Sequence, residues 1–185
     1  MSEVKKIIPC KVGKGNRPKI EEVISACLSG DLHDTAMDFA IWMRENNLQF
    51  KIYTSSTRSH TAGYGDMAIC RTYILSEDDL KHNNWLKTDA PQYFGITIFL
   101  RDIDNYKNAN IAEELHNFIW DNMQRCGQCN SKCPCIGGRT VTIFDREMNR
   151  ICHLHNVKII NPDEAVVKSM KKLITFEKKA RDIKK

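Results

Sequence analysis

The sequence predicts an α+β protein: a helical hairpin and an antiparallel three-stranded sheet, then a cysteine-rich knuckle, a β-hairpin and a final helix. Apolar residues recur at helical spacing near both ends of the chain, whereas in its middle they alternate with polar ones. In addition, five of the eight cysteines fall in the 27 residues from Cys126 to Cys152, among Gly and Pro that let a backbone turn around a point.

Asn16-Arg17-Pro18 opens the first helix, with proline near the first turn, where no hydrogen-bond donor is lost. Ile20, Val23, Ile24, Cys27 and Leu28 make its apolar stripe and Gly30 ends it. Asp31 can cap a second helix that turns Leu32, Ala36, Phe39, Ala40 and Met43 inward, closing a hairpin. From Gln49 to Thr54 the period becomes two, a strand, and Ser55 to Gly65 reads as a loop. Strands follow at Met67 to Leu75 and Tyr93 to Leu100, joined by a polar stretch that is either a long loop or a short helix packed by Trp85.

Asn110 with Glu113 resembles a capping box for a third amphipathic helix, which carries Ile111, Leu115, Phe118 and Ile119 and runs into Cys126. Thr140 to Phe144 and Ile151 to Ile159 read as two strands around a turn at Arg146 to Asn149. Asn161-Pro162-Asp163-Glu164 opens the last helix, with Val166, Met170, Leu173 and Ile174 facing the core. The length fits one domain over residues 1–185, with a metal-knuckle and hairpin subregion at 126–160 and a basic solvated tail at 178–185.

The net charge of +5 is local: from Lys168 to Lys185 eight Lys or Arg face Glu177 and Asp182, which leaves the rest of the chain at −1. The longest apolar runs fall far short of the roughly 20 residues that span a bilayer, and the opening MSEVKKIIPCKVGKG has no apolar secretory core. A cytoplasmic protein is expected. Cys10, Cys27 and Cys70 stand far apart, as buried apolar residues do, and a reducing compartment argues against disulfides.

A structural zinc needs four soft donors in a tetrahedron, usually a C-x2-C pair from one turn and a second pair from elsewhere. Cys126 and Cys129 make the first pair; the second comes from Cys133, Cys135 and Cys152, with His153 or His155 as substitutes. Cβ directions alternate along a strand, so only one of Cys152 and His153 points at a given metal. The rival readings are a redox C-x2-C, an iron–sulfur cluster and thiols without a metal. A redox pair belongs at a helix N-terminus, whereas this one follows a helix, and C-x2-C-x3-C-x-C matches neither ferredoxin pattern. The expected segment is a C-terminal zinc knuckle.

Cys126-x2-Cys129, Cys135-Ile-Gly-Gly138, Thr142-Ile-Phe144, Glu147, Cys152-His153 and Asn161-Pro-Asp163 together resemble a family of small uncharacterised bacterial proteins with an α+β domain and a cysteine-rich C-terminal segment. The likeness covers most of residues 18–176. It implies that Cys135, before the glycine pair, is the recurrent thiol, giving a zinc set of Cys126, Cys129, Cys135 and Cys152 with Cys133 and His153 as alternatives. The family shows Gly-Lys-Glu where this chain has Asp145-Arg146-Glu147, which puts a tight turn there in question. No activity follows from the resemblance.

No catalytic motif stands out. Lys11-Val-Gly-Lys-Gly15 lacks the phosphate-loop pattern, and His60 sits in a polar stretch as a surface histidine, as do His33, His82 and His116. Tyr53, Arg71 and Tyr73 fall on strand positions away from the most apolar face and are candidates for a ligand cleft; the ordinary alternative is a solvated sheet face. The expected function is a zinc-binding protein without enzymatic activity that takes a small molecule or protein partner. Two rivals are an enzyme without a recognisable motif and a nucleic-acid binder using the knuckle and the basic tail. Lys132 is the knuckle's only basic residue and the knuckle has no aromatic to stack a base, which argues against nucleic-acid reading there.

Overall fold

The computed structural model describes residues 18–48, 50–51, 58–65, 67–81, 90–101, 103, 106, 113–126, 138–144, 146–152 and 156–182. They form an α+β protein whose main sheet has five strands rather than the expected three, because Ser59–Tyr64 and Asn156–Ile160 join it, and a separate two-stranded sheet. The chain divides into two compact units, Met1–Ile96 with Ile160–Val167, and Thr97–Ile159 with Lys168–Lys185.

In the first unit, α1 (Ile20–Cys27) and α2 (Gly30–Glu45) form the expected hairpin, with Ile20, Val23, Ile24 and Cys27 of one and Ala36, Phe39, Ala40 and Met43 of the other buried. Gly30, expected to end the first helix, begins the second at φ +59°, a conformation glycine adopts without a Cβ clash. Strands β1 (Phe50–Lys51), β2 (Ser59–Tyr64) and β3 (Met67–Leu75) pair antiparallel in that order, with β4 (Tyr93–Phe99) beside β3. Phe39 of α2 meets Phe50 and Phe94, which fixes the core face of the sheet.

Strand β2 corrects the expectation of a loop from Ser55 to Gly65. Its core-facing positions are His60 and Ala62, opposite Thr72 and Cys70, so no run of large apolar residues announces it. It is a strand because the ladder to β3 satisfies its backbone, and a slip after Ala62 lets Gly63 pair with Ala68. The polar stretch after β3 holds α3 (Glu77–Lys81), begun by a local capping box: Asp79 N–H donates to Ser76 Oγ, and Ser76 N–H and Oγ both donate to Asp79 Oδ2. The same carboxylate pairs with the buried Arg58, Nε to Oδ2 2.9 Å, tying the start of β2 to the helix after β3. Trp85, expected to pack a helix here, lies outside the described residues.

His60 is a second correction: it is 1% exposed rather than on the surface, and neither ring nitrogen has a well-formed hydrogen bond among the described residues. Burial pushes its pKa down to about 4, against a smaller opposing pull from the Pro18 backbone. The folded-state value lies below the ordinary 6.5, so the fold prefers neutral imidazole. The stability tied to it is complete above pH 6.5 and is lost as the pH falls towards 4, by about 3 kcal/mol. Melts at pH 7.5 and 4.5 should show a smaller acid loss for His60→Leu than for wild type; equal losses would place the acid sensitivity elsewhere.

Asn161, at φ +47°, clamps the start of β4: its Oδ1 accepts from Phe94 N–H, its own N–H donates to the Phe94 carbonyl, and Nδ2 donates to the Gln92 carbonyl. Asp163 accepts from Val166 N–H and caps α5 (Glu164–Asp182). The Asn-Pro-Asp motif is therefore explained as structure. On α5 itself Val167, rather than the expected Val166, is buried with Met170, Leu173 and Ile174.

In the second unit, α4 (Glu113–Asn122) ends before the cysteines, and an extended segment intervenes in which Met123 bridges Val157 and Arg125 bridges Ile151. The expectation that the knuckle begins directly at a helix C-terminus is corrected accordingly. Strands β5 (Arg139–Ile143) and β6 (Arg146–Ile151) form the hairpin, while β7 (Asn156–Ile160) lies beside β4 in the larger sheet. Ile143 faces Arg146 across the ladder, so the chain turns at Phe144, and Arg146 to Asn149, expected as the turn, belong to β6. Phe144 stands at φ +48°, unusual for a bulky residue, and its ring is stacked with those of His116, 3.8 Å away, and Tyr106, 6.0 Å away. That aromatic stack offsets the backbone cost and gives a physical reason for a turn without glycine.

The basic tail differs from expectation at Arg181. It is buried, 7% exposed, with Nε 2.8 Å from Oε1 of the fully buried Glu177 and Nη2 donating to the Phe99 carbonyl. Glu177 also accepts from Arg101 N–H and from the Tyr106 hydroxyl. Of the expected tail from 178 to 185, residues 178–182 continue α5 with Lys179 and Asp182 exposed, and 183–185 lie outside the described residues.

Candidate functional site

Of the candidate zinc ligands, Cys126 and Cys152 are described; Cys129, Cys133, Cys135 and His153 lie outside the described residues. The Arg125–Ile151 bridge fixes how the first two stand. Cys126 N–H donates to the Arg150 carbonyl at 2.6 Å and Cys152 N–H to the Gln124 carbonyl at 3.0 Å, so the cysteines sit one step either side of the bridge on opposite strands. Side chains alternate along each strand, which places both thiols on the same face as a diagonal pair. Diagonal neighbours lie about 7–8 Å apart at the backbone, and side chains reach across that span.

Gly138 completes the geometry. At φ +73° it packs so closely that a β-carbon on it would lie 2.7 Å from Cys126 Cβ and 2.8 Å from the Arg150 carbonyl carbon. The segment from Cys126 to Gly138 therefore starts and finishes at one place, beside Cys152. Cys129 is three residues from one anchored end and Cys135 three from the other. Three residues of chain reach at most about 10–11 Å. The glycine pair after the cysteines is the sequence signal for this closure, but the contact of Gly138 with Cys126 is visible only in the structure. Among the described residues no group of three or more His, Cys, Asp or Glu is placed to hold a metal.

Of the ligand-cleft candidates, Tyr53 lies outside the described residues, while Arg71 and Tyr73 stand on β3 on the face turned away from α1 and α2. Arg71 Nε donates to Thr61 Oγ1 at 3.2 Å across the ladder, and the Tyr73 ring meets that of Tyr93 edge to face at 6.3 Å. Tyr93, which the sequence places only in a strand, is buried and extends this face; burial first, and the Tyr73 charge second, push its pKa up to about 12. It donates rather than ionises at neutral pH. Gly95 leaves room for that ring, since a β-carbon there would lie 2.8 Å from Tyr93 Cε1. Gly95→Ala should cost about 1–3 kcal/mol by overpacking, read as a shifted urea midpoint, and an unchanged midpoint would mean that the ring moves freely.

An open groove of about 230 Å³ lies in the first unit, with Ile20, Ala40, Leu48 and Phe50 as its apolar wall and the Arg44–Glu21 ion pair on its rim. It is smaller than the roughly 300–1,000 Å³ typical of small-molecule sites. Cys27 and Cys70 are buried as expected, and burial raises the Cys70 thiol pKa strongly, which makes it inert at neutral pH. No described helix is long and apolar enough to cross a membrane.

Comparison with known proteins gives no match to a family model, to a curated protein or to a solved structure. What the site can do is therefore read from its own residues.

Proposed function

We propose that this chain is a binding protein for a small molecule or a protein partner, in which a structural zinc held by Cys126, Cys129, Cys135 and Cys152 closes the cysteine segment. The observation that carries the reading is the contact of Gly138 with Cys126 beside Cys152, which tethers a thiol-rich segment at both ends. The tether favours Cys135 over Cys133, because Cys135 is nearer to the anchored Gly138. Four thiolates leave zinc little Lewis acidity, so its work is to hold the segment rather than to activate water. The strand face of Arg71 and Tyr73, backed by the buried Tyr93, offers a cation and an aromatic edge to a ligand of the first unit.

Elemental analysis of freshly purified protein tests the metal. Zinc in equimolar amount supports the reading, whereas iron with visible absorbance, or no metal at all, overturns it.

A further inference from the structure

We propose that the solvent face of α5 docks the phosphate backbone of double-stranded nucleic acid through Lys168, Lys172 and Lys179. This partner is additional to the small molecule or protein proposed above, and it rests on a different part of the molecule from the zinc. The first unit carries 12 Lys and Arg against 14 Asp and Glu, a net −2, and the second 16 against 9, a net +7. Charge divided so unevenly between two parts of one chain is an electrostatic footprint for a polyanion.

The lysines are arranged as well as numerous. Lys168, Lys172, Thr175 and Lys179 are exposed and follow one another at i, i+4, i+7 and i+11, a single stripe about 16 Å long. The opposite side of the helix is occupied: Met170, Leu173, Ile174 and Glu177 are buried. The Arg181–Glu177 pair extends that anchorage to the last turn, so Lys179 stands on a docked helix and not on a solvated end.

The same burial disfavours a membrane, since α5 has no apolar face left to insert. The exposed positions Glu164, Ala165, Lys168, Lys172, Thr175, Lys179 and Asp182 include no aromatic to stack an unpaired base, which favours a duplex over a single strand. Three carboxylates oppose the stripe: Glu164 and Asp182 are exposed at its two ends on α5, and the third reaches it from α4. Glu114 of α4 accepts from Lys172 Nζ, and that bond, with a smaller pull from Lys168, holds its carboxyl below the usual range. Duplex phosphates would have to displace it, which makes Glu114 a built-in competitor.

The test is fluorescence anisotropy with a labelled 20-base-pair DNA duplex, the same strand unpaired, and anionic phospholipid vesicles by co-sedimentation, with the metal content of each preparation measured alongside. Three phosphate contacts give a slope of about −2.7 in log K against log salt, a loss of roughly 40-fold between 50 and 200 mM. The triple variant Lys168→Gln, Lys172→Gln, Lys179→Gln should abolish duplex binding at 50 mM while its circular dichroism and zinc content stay those of wild type. Glu114→Gln should tighten binding several-fold, an effect that mere removal of surface charge from a neutral face would not produce. No duplex binding at 50 mM salt, equal binding by the triple variant, or tighter binding to the single strand or the vesicles overturns the proposal. Loss of zinc with binding intact would instead strike only the metal reading.

Discussion

Cys129→Ser and Cys152→Ser are each expected to lose the bound zinc and to destabilise the second unit by about 4 kcal/mol or more, the scale of losing a structural metal. Cys133→Ser should keep its zinc and melt near wild type. The asymmetry follows from where the chain is pinned: Cys152 stands on the ladder next to Cys126, and Cys129 is within three residues of it. Chelation should speed amide exchange in the segment from Cys126 to Ile160 while leaving α1 and α2 protected, because those helices pack on one another, α1 on β3 and α2 through Phe39 on Phe50 and Phe94. Zinc content equal to wild type in both the Cys129 and Cys152 variants would sink this ligand set. An ordered water on the metal would show that the site is open rather than closed.

Removing Glu177 or Arg181 is expected to cost about 3–5 kcal/mol each, because either change leaves its partner charged and buried. Glu177 is 0% exposed and accepts on both carboxylate oxygens, from Arg181 and Arg101 on one and from Tyr106 on the other. Deleting residues from Ala180 onward removes Arg181 and should carry a similar cost. A tail wholly in solvent, as the sequence suggests, would instead give less than about 0.5 kcal/mol. Replacing both partners by leucine should be far milder than the sum of the single changes, since nothing charged is then stranded. Urea denaturation of the two single variants and the double completes the cycle, and additive effects would mean that the pair is not coupled.

Arg181 also shows why burial is hard to read from a run of lysines. There it looks like one more solvated cation, and its burial depends on a glutamate one turn earlier and on Phe99, 82 residues away. His60 is a parallel case. Among serines and threonines it reads as surface, but the pairing of β2 with β3 turns it to the core face, opposite Thr72. The hairpin turn at Phe144 escapes notice because no glycine marks it; the aromatic stack that holds the turn brings in His116 and Tyr106 from elsewhere in the chain.

Local pattern was enough for the α+β class, most of the stripes of α1, α2 and α5, the strands β3 and β4, and the clustering of thiols. These depend on residue type at a period of 3.6 or 2, or on plain proximity along the chain, and both are written into any short stretch of it. That β2 is a strand, that Glu177 and Arg181 are buried together, and that Gly138 returns to Cys126 came instead from the folded chain. Each is a contact, or depends on one, whose free energy appears only once a distant partner is in place, so no local pattern encodes it.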